Sequence, residues 1–262
     1  MEQRQSVESL STRKIIREFL AGAGIAVLGF LVGVIGVFLM AGGMYLYGVN
    51  IFENVIALFA AEIIGLQVIG FGGVALAYLW YTKESLIQIE IPSLRHIAWI
   101  VIGLVSLFVA LIFVSAVELV IGVDAAEHGI QQTATGNPEI LLLFIPITLF
   151  IIGPAEELLF RGIIQRRLVD RLSLGYGILF ASIIFAVAHA GALIASSTSG
   201  FVFMMGVYVV LGAILGITYE ITKNIVVPIV IHGIFNALQA AGMYFALTND
   251  EMAEFMTLLG LS

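Results

Sequence analysis

The sequence predicts an all-α fold, a polytopic bundle of seven or eight transmembrane helices. Three observations predict it. Of 262 residues, 61% are hydrophobic and only 11% are charged, whereas about a quarter of a soluble domain's residues are charged. Several uncharged runs reach the roughly 20 residues that cross a bilayer. All eleven Lys and Arg fall on one side when the spans alternate in direction.

The spans centre on residues 19–45, 53–80, 97–121, 139–165, 175–195, 201–221 and 225–247. Residues 1–18 read as an N-terminal arm, with Ser11 or Thr12 placed to cap a helix. Residues 19–248 read as one transmembrane domain and 249–262 as an acidic tail, where "NDEMAEFMTLLG" is a candidate eighth helix. The first apolar run is too long for a cleaved signal peptide and reads as a retained span.

Arg4, Arg13, Lys14, Arg17, Lys83, Arg95, Arg161, Arg166, Arg167, Arg171 and Lys223 then share one side, which the positive-inside rule makes cytoplasmic. The opposite side carries acids: Glu53, Glu118, Asp124, Glu127, Glu139, Asp250, Glu251 and Glu254. A multi-pass protein with a cytoplasmic N-terminus, in a prokaryotic cell membrane, is the expectation. Lipid is the expected surrounding partner, and nucleic acid is not expected as one. The chain has no cysteine, so disulfides, thiolate nucleophiles and thiolate metal sites are excluded.

Ionisable side chains inside a span are costly and are functional candidates by default. Here they are Glu62, Glu156, Glu157, Arg161, His189 and His232, with Asn236 beside them. Glu157 and Arg161 are four apart on one helix face and can pair. Glu156 is turned about 100° away, and its i+4 position holds Phe160. One glutamate is thus architectural and the other is free for chemistry.

The fourth and fifth spans join near Ser173. Glu156 and His189 lie at similar distances on either side of that turn, so an antiparallel hairpin sets them level. At 1.5 Å per residue, Glu156 lies about 15 Å deep, His232 about 12 Å and Asn236 about 18 Å. A single buried His or Asn usually only bonds a neighbouring helix. Four polar groups from three helices at one depth point to a site. Glu62 has no basic companion, and His96 and His128 read as solvated loop residues.

A carboxylate base beside imidazole and amide donors suits hydrolysis of a carbonyl by activated water. There is no HExxH zinc motif, and no aspartate falls inside a span. "SSTSG" (196–200) reads as a turn on the far side. No cofactor is required by this chemistry. The alternative is a zinc ion held by Glu156, His189 and His232.

"EELLFR" (156–161), "FAVAH" (185–189) and "HGIFN" (232–236) read as EExxxR, FxxxH and HxxxN. In order and spacing they resemble the CAAX-protease and bacteriocin-processing family, which includes the Ras-converting prenyl-protein endopeptidases. The resemblance covers about residues 140–245. It implies a helical intramembrane protease, usually of eight helices, around a cavity open toward the cytoplasm. It implies a peptide or lipidated-protein substrate. It assigns Glu156 as the base, Glu157 and Arg161 as its support, His189 and Asn236 as the oxyanion site, and His232 as an orienting group. A scaffold or bacteriocin-immunity protein and a proton-coupled transporter are the competing readings.

Overall fold

In the structure, a computed structural model, residues 11–51, 53–83, 87–123, 127–194 and 197–249 are described. Arg4, Asp124, Ser196, Asp250, Glu251, Glu254 and the candidate eighth helix lie outside them. Among the described residues, seven helices are long and apolar enough to cross a membrane. We label them α1 (Thr12–Leu46), α2 (Val55–Thr82), α3 (Leu94–Ile121), α5 (Glu139–Arg171), α6 (Leu174–His189), α7 (Thr198–Thr222) and α8 (Val226–Thr248). The short α4 (Gly129–Gly136) sits between α3 and α5. Among the described residues a two-residue antiparallel pair, β1 (Glu127–His128) with β2 (Leu193–Ile194), also forms.

Helix starts follow local chemistry. Ser11, Asn54, Ser93, Ser173 and Ser197 each accept a backbone N–H of the first turn through a side-chain oxygen, which satisfies donors a helix start leaves open. Ser11 caps the first membrane helix itself, so α1 begins inside the expected arm. Ser197 of "SSTSG" is the cap of α7.

The helices alternate in direction, and contacts at one end fix this. Arg167 at the end of α5 meets Glu18 at the start of α1 at 2.9 Å, and Arg17 meets the same carboxylate at 2.8 Å. Asn224, between α7 and α8, bonds the Glu90 backbone in both directions. Lys83, Arg95, Arg171 and Lys223 flank helices at this same end. The basic residues therefore mark one end of the bundle.

Within lipid, helices associate through close packing and buried polar contacts, and small residues permit the closest approach. Two crossings show it. A Cβ on Gly70 of α2 would lie 2.7 Å from Gly33 Cα of α1, and one on Gly33 would lie 2.9 Å from Leu66 Cα. A Cβ on Gly153 of α5 would lie 3.3 Å from the Ile229 carbonyl oxygen of α8, and one on Gly233 would lie 3.1 Å from Leu149 Cα. Backbone therefore touches backbone at both crossings. The second one adjoins Glu156, Glu157 and His232 in sequence.

α5 occupies the centre, packed against α1, α2, α6, α7 and α8. α3 lies at the edge against α7 and α8, with Val101, Val105, Val109 and Phe113 exposed. Such faces meet lipid chains, as expected of an integral membrane protein.

Candidate active site

The site is built around an irregular stretch of α5. Pro154 has no N–H to donate to the previous turn. A wide, π-helical turn over Thr148–Ile152 sits at that break, in keeping with the usual place of such turns at functional sites. A second wide stretch spans Leu158–Gln165, and every residue from Leu159 to Gln165 is buried. Glu156, Glu157 and Arg161 therefore point into protein rather than lipid.

Glu157 and Arg161 pair as the spacing predicts, with Oε2 3.3 Å from Nε, and both side chains are buried. The pair is seated from three other helices. His232 of α8 donates Nδ1–H to Glu157 Oε1 at 2.9 Å. Arg161 donates to the Gly212 carbonyl of α7 at 3.2 Å, and its guanidinium lies 4.5 Å from the centre of the Phe185 ring of α6, a cation–π distance. One turn on, Gln165 repeats the pattern, donating to the Gly216 carbonyl and to Glu220.

Glu156 has different surroundings. Its Oε1 accepts from Gln67 Nε2 of α2 at 2.9 Å. Its Oε2 is buried without a hydrogen-bond partner. His189 Nε2 stands 3.6 Å from that oxygen and His232 Nε2 3.9 Å. The expectation of a Glu156 without a basic partner on its own helix holds, but a neutral amide reaches it from α2. At distances above 3.5 Å, polar groups commonly share a water.

The hydrogen bonds assign the imidazole protons. The Phe185 carbonyl, 2.9 Å from His189 Nδ1, can only accept, so Nδ1 carries a proton. The Glu157 carboxylate imposes the same on His232 Nδ1. Both rings then turn Nε2 toward Glu156, as acceptors when neutral and donors when doubly protonated. His189 can therefore donate to an oxyanion only in its doubly protonated form. Tyr208 of α7 holds this ring by stacking, with centroids 4.6 Å apart and planes 26° apart. Asn236 lies one turn beyond His232 on α8, half-buried.

The six residues expected from sequence occupy this one helical core, with five of them linked by the contacts above. Glu62 is not among them; it is exposed on α2. His96 helps cap α3 and lies 3.3 Å from Asn224. The reading of His128 as solvated is corrected. β1 pairs His128 with Leu193, four residues beyond His189, and the side chain is half-buried. Burial first, and the nearby His189 second, push its pKa down to about 4.

Gln67, Tyr208 and Gln165 were missed. Gln67 had a legible signal: it lies fifteen residues before the end of α2, as Glu156 does before the end of α5. Tyr208 had none, since a tyrosine in an apolar run reads as packing. Among the described residues, no group of three or more His, Asp or Glu side chains is disposed to hold a metal ion.

Residues 138–238 match the family described as type II CAAX prenyl endopeptidase Rce1-like. No curated protein and no solved structure matches the chain. The match contains EELLFR, FAVAH and HGIFN and leaves α1, α2 and α3 outside. Residues 138–238 are thus similar to the type II CAAX prenyl endopeptidase family, within an integral membrane helical bundle.

Proposed function

We propose that the protein is an intramembrane endopeptidase that cleaves a lipidated or membrane-borne peptide with water activated by Glu156. The observation that carries this reading is the unpartnered Glu156 Oε2 facing two imidazole Nε2 atoms at 3.6 and 3.9 Å. Water held there gives a proton to Oε2 as its oxygen attacks the scissile carbonyl carbon. The oxyanion that forms accepts from Asn236 and from doubly protonated His189. Collapse breaks the C–N bond, and Glu156 returns the proton to the leaving amine. His232, tied to Glu157, orients the water. A general base contributes about 10²–10⁴-fold to such a rate, and one oxyanion donor about 10²–10³-fold. Residues 140–245 form the catalytic core in this reading. The basic end of the bundle faces the cytoplasm, and the cavity opens toward it.

A zinc variant of the same hydrolysis, with Glu156, His189 and His232 as ligands, is the reading that the chelator arm of the test separates. Both histidines donate Nδ1–H and turn Nε2 to one carboxylate oxygen, the outer-sphere pattern common to zinc-bound imidazoles.

The test is cleavage of a quenched prenylated peptide ending in a CAAX sequence by purified protein, with and without a chelator, beside Glu156→Gln. Cleavage by wild type alone, indifferent to chelator, is the expected result. Loss on chelation with recovery on added zinc moves Glu156 and the histidines to metal ligation. Equal cleavage by Glu156→Gln overturns the role of Glu156. If wild type leaves the peptide intact, this substrate class is rejected.

A further inference from the structure

We infer that Gln67 of α2, outside the stretch that matches the family, is a positioning residue that fixes which oxygen of Glu156 faces the reacting water. This rests on the reading of Glu156 as the base.

Gln67 is 8% exposed in the middle of α2. Its Nε2 donates to Glu156 Oε1 at 2.9 Å. The orientation of the amide is chemically required, because an ionised carboxylate only accepts and the amide nitrogen only donates. A carboxylate is nearly symmetric about its last torsion, and that torsion is broad. A donor on Oε1 removes the symmetry: Oε1 is occupied and Oε2 is left toward His189 and His232. The oxygen of the same amide, Gln67 Oε1, is buried without a hydrogen-bond partner. A buried polar atom in that state costs about 1–3 kcal/mol, so Gln67 is a poor choice for packing alone.

The fold fixes the depth of this amide. Gln67 lies in the wide turn Ile63–Gly72 of α2. That stretch is locked to α1 at the Gly70–Gly33 crossing, where backbone meets backbone. It also packs on α5 itself. The α1–α2 hairpin is thereby one wall of the site, and its contribution to the chemistry passes through one side chain.

The consequence is measurable with and without substrate. In wild type, Gln67→Met and Glu156→Gln, one records pH-difference infrared spectra, kcat and KM for the prenylated peptide, and thermal unfolding. The Glu156 carboxyl band is the one that Glu156→Gln removes. In Gln67→Met, which keeps length and loses the donor, that band shifts, kcat falls about 10- to 100-fold as expected for a misplaced catalytic group, and KM and unfolding stay near wild type. A Gln67→Met enzyme with unchanged band and kcat, beside an inactive Glu156→Gln, overturns the inference and leaves the base intact. An active Glu156→Gln overturns the base itself. If Gln67→Met does not fold, Gln67→Glu serves: its second carboxylate must share a proton with Glu156, so a pH profile superimposable on wild type refutes the positioning role.

Discussion

The two sides of α5 solve opposite problems with adjacent glutamates. Toward α7 and α8, Glu157 is closed in by Arg161 and His232, and Arg161 is seated on the Gly212 carbonyl and the Phe185 ring. Toward α2 and α6, Glu156 keeps one oxygen unpaired between two imidazoles. A buried charge is tolerated when paired and hydrogen-bonded, so the first side is architecture. A carboxylate oxygen left unpaired beside two imidazoles has room to hold and deprotonate a water, so under the proposed function the second side is the one that does chemistry. Position 156 or 157 along one helix decides between them, through a rotation of about 100°.

His232 belongs to both sides, and removing it breaks the contrast most severely. His232→Phe leaves Glu157 Oε1 without its donor and takes one of the two facing Nε2 atoms from Glu156. Cleavage falls by at least about 10²-fold, and thermal unfolding in detergent drops as well. Arg161→Met acts on the architectural side alone, at a cost of about 3–5 kcal/mol because the buried Glu157 charge is left unpaired. The double variant Glu157→Gln/Arg161→Met recovers part of that loss, read by the same unfolding assay. Asn236→Ala acts on the chemical side alone. It lowers kcat about 10²-fold, the loss of one oxyanion donor, with the unfolding temperature unchanged.

The smallest effect tests the rim. His128 has its folded pKa lowered to about 4 from 6.5. The unfolded chain then binds the extra proton first, so its contribution to stability is complete above pH 6.5 and is lost as pH falls toward 4. His128→Asn flattens the stability–pH curve in that window and leaves it unchanged at pH 8.

Membrane composition explains why so much of this was legible in the sequence. Spans follow from hydropathy alone, and the seven helices stand where the apolar runs do. α3 shows the limit of that signal: it is the most apolar helix and carries no part of the site. Inside a bilayer, polar residues are the informative ones; depth and helix face singled out Glu156, Glu157, Arg161, His189, His232 and Asn236, and the fold brings the first five into contact. The rest depended on contacts that no periodicity announces. Gln67 reaches Glu156 across 89 residues of chain, and Tyr208 meets His189 through ring stacking. His128 looked like a loop residue until β1 and β2 paired. The wide turns in α2 and α5 change which faces are buried, and only Pro154 hinted at those in α5.

The central claim is the division of labour between the adjacent glutamates. The most direct measurement is thermal unfolding and peptide cleavage of Glu156→Gln and Glu157→Gln, prepared side by side. The account predicts that Glu156→Gln unfolds like wild type and does not cleave, whereas Glu157→Gln unfolds at a distinctly lower temperature. A Glu156→Gln protein that loses stability while Glu157→Gln keeps it, or one that still cleaves at the wild-type rate, would contradict it.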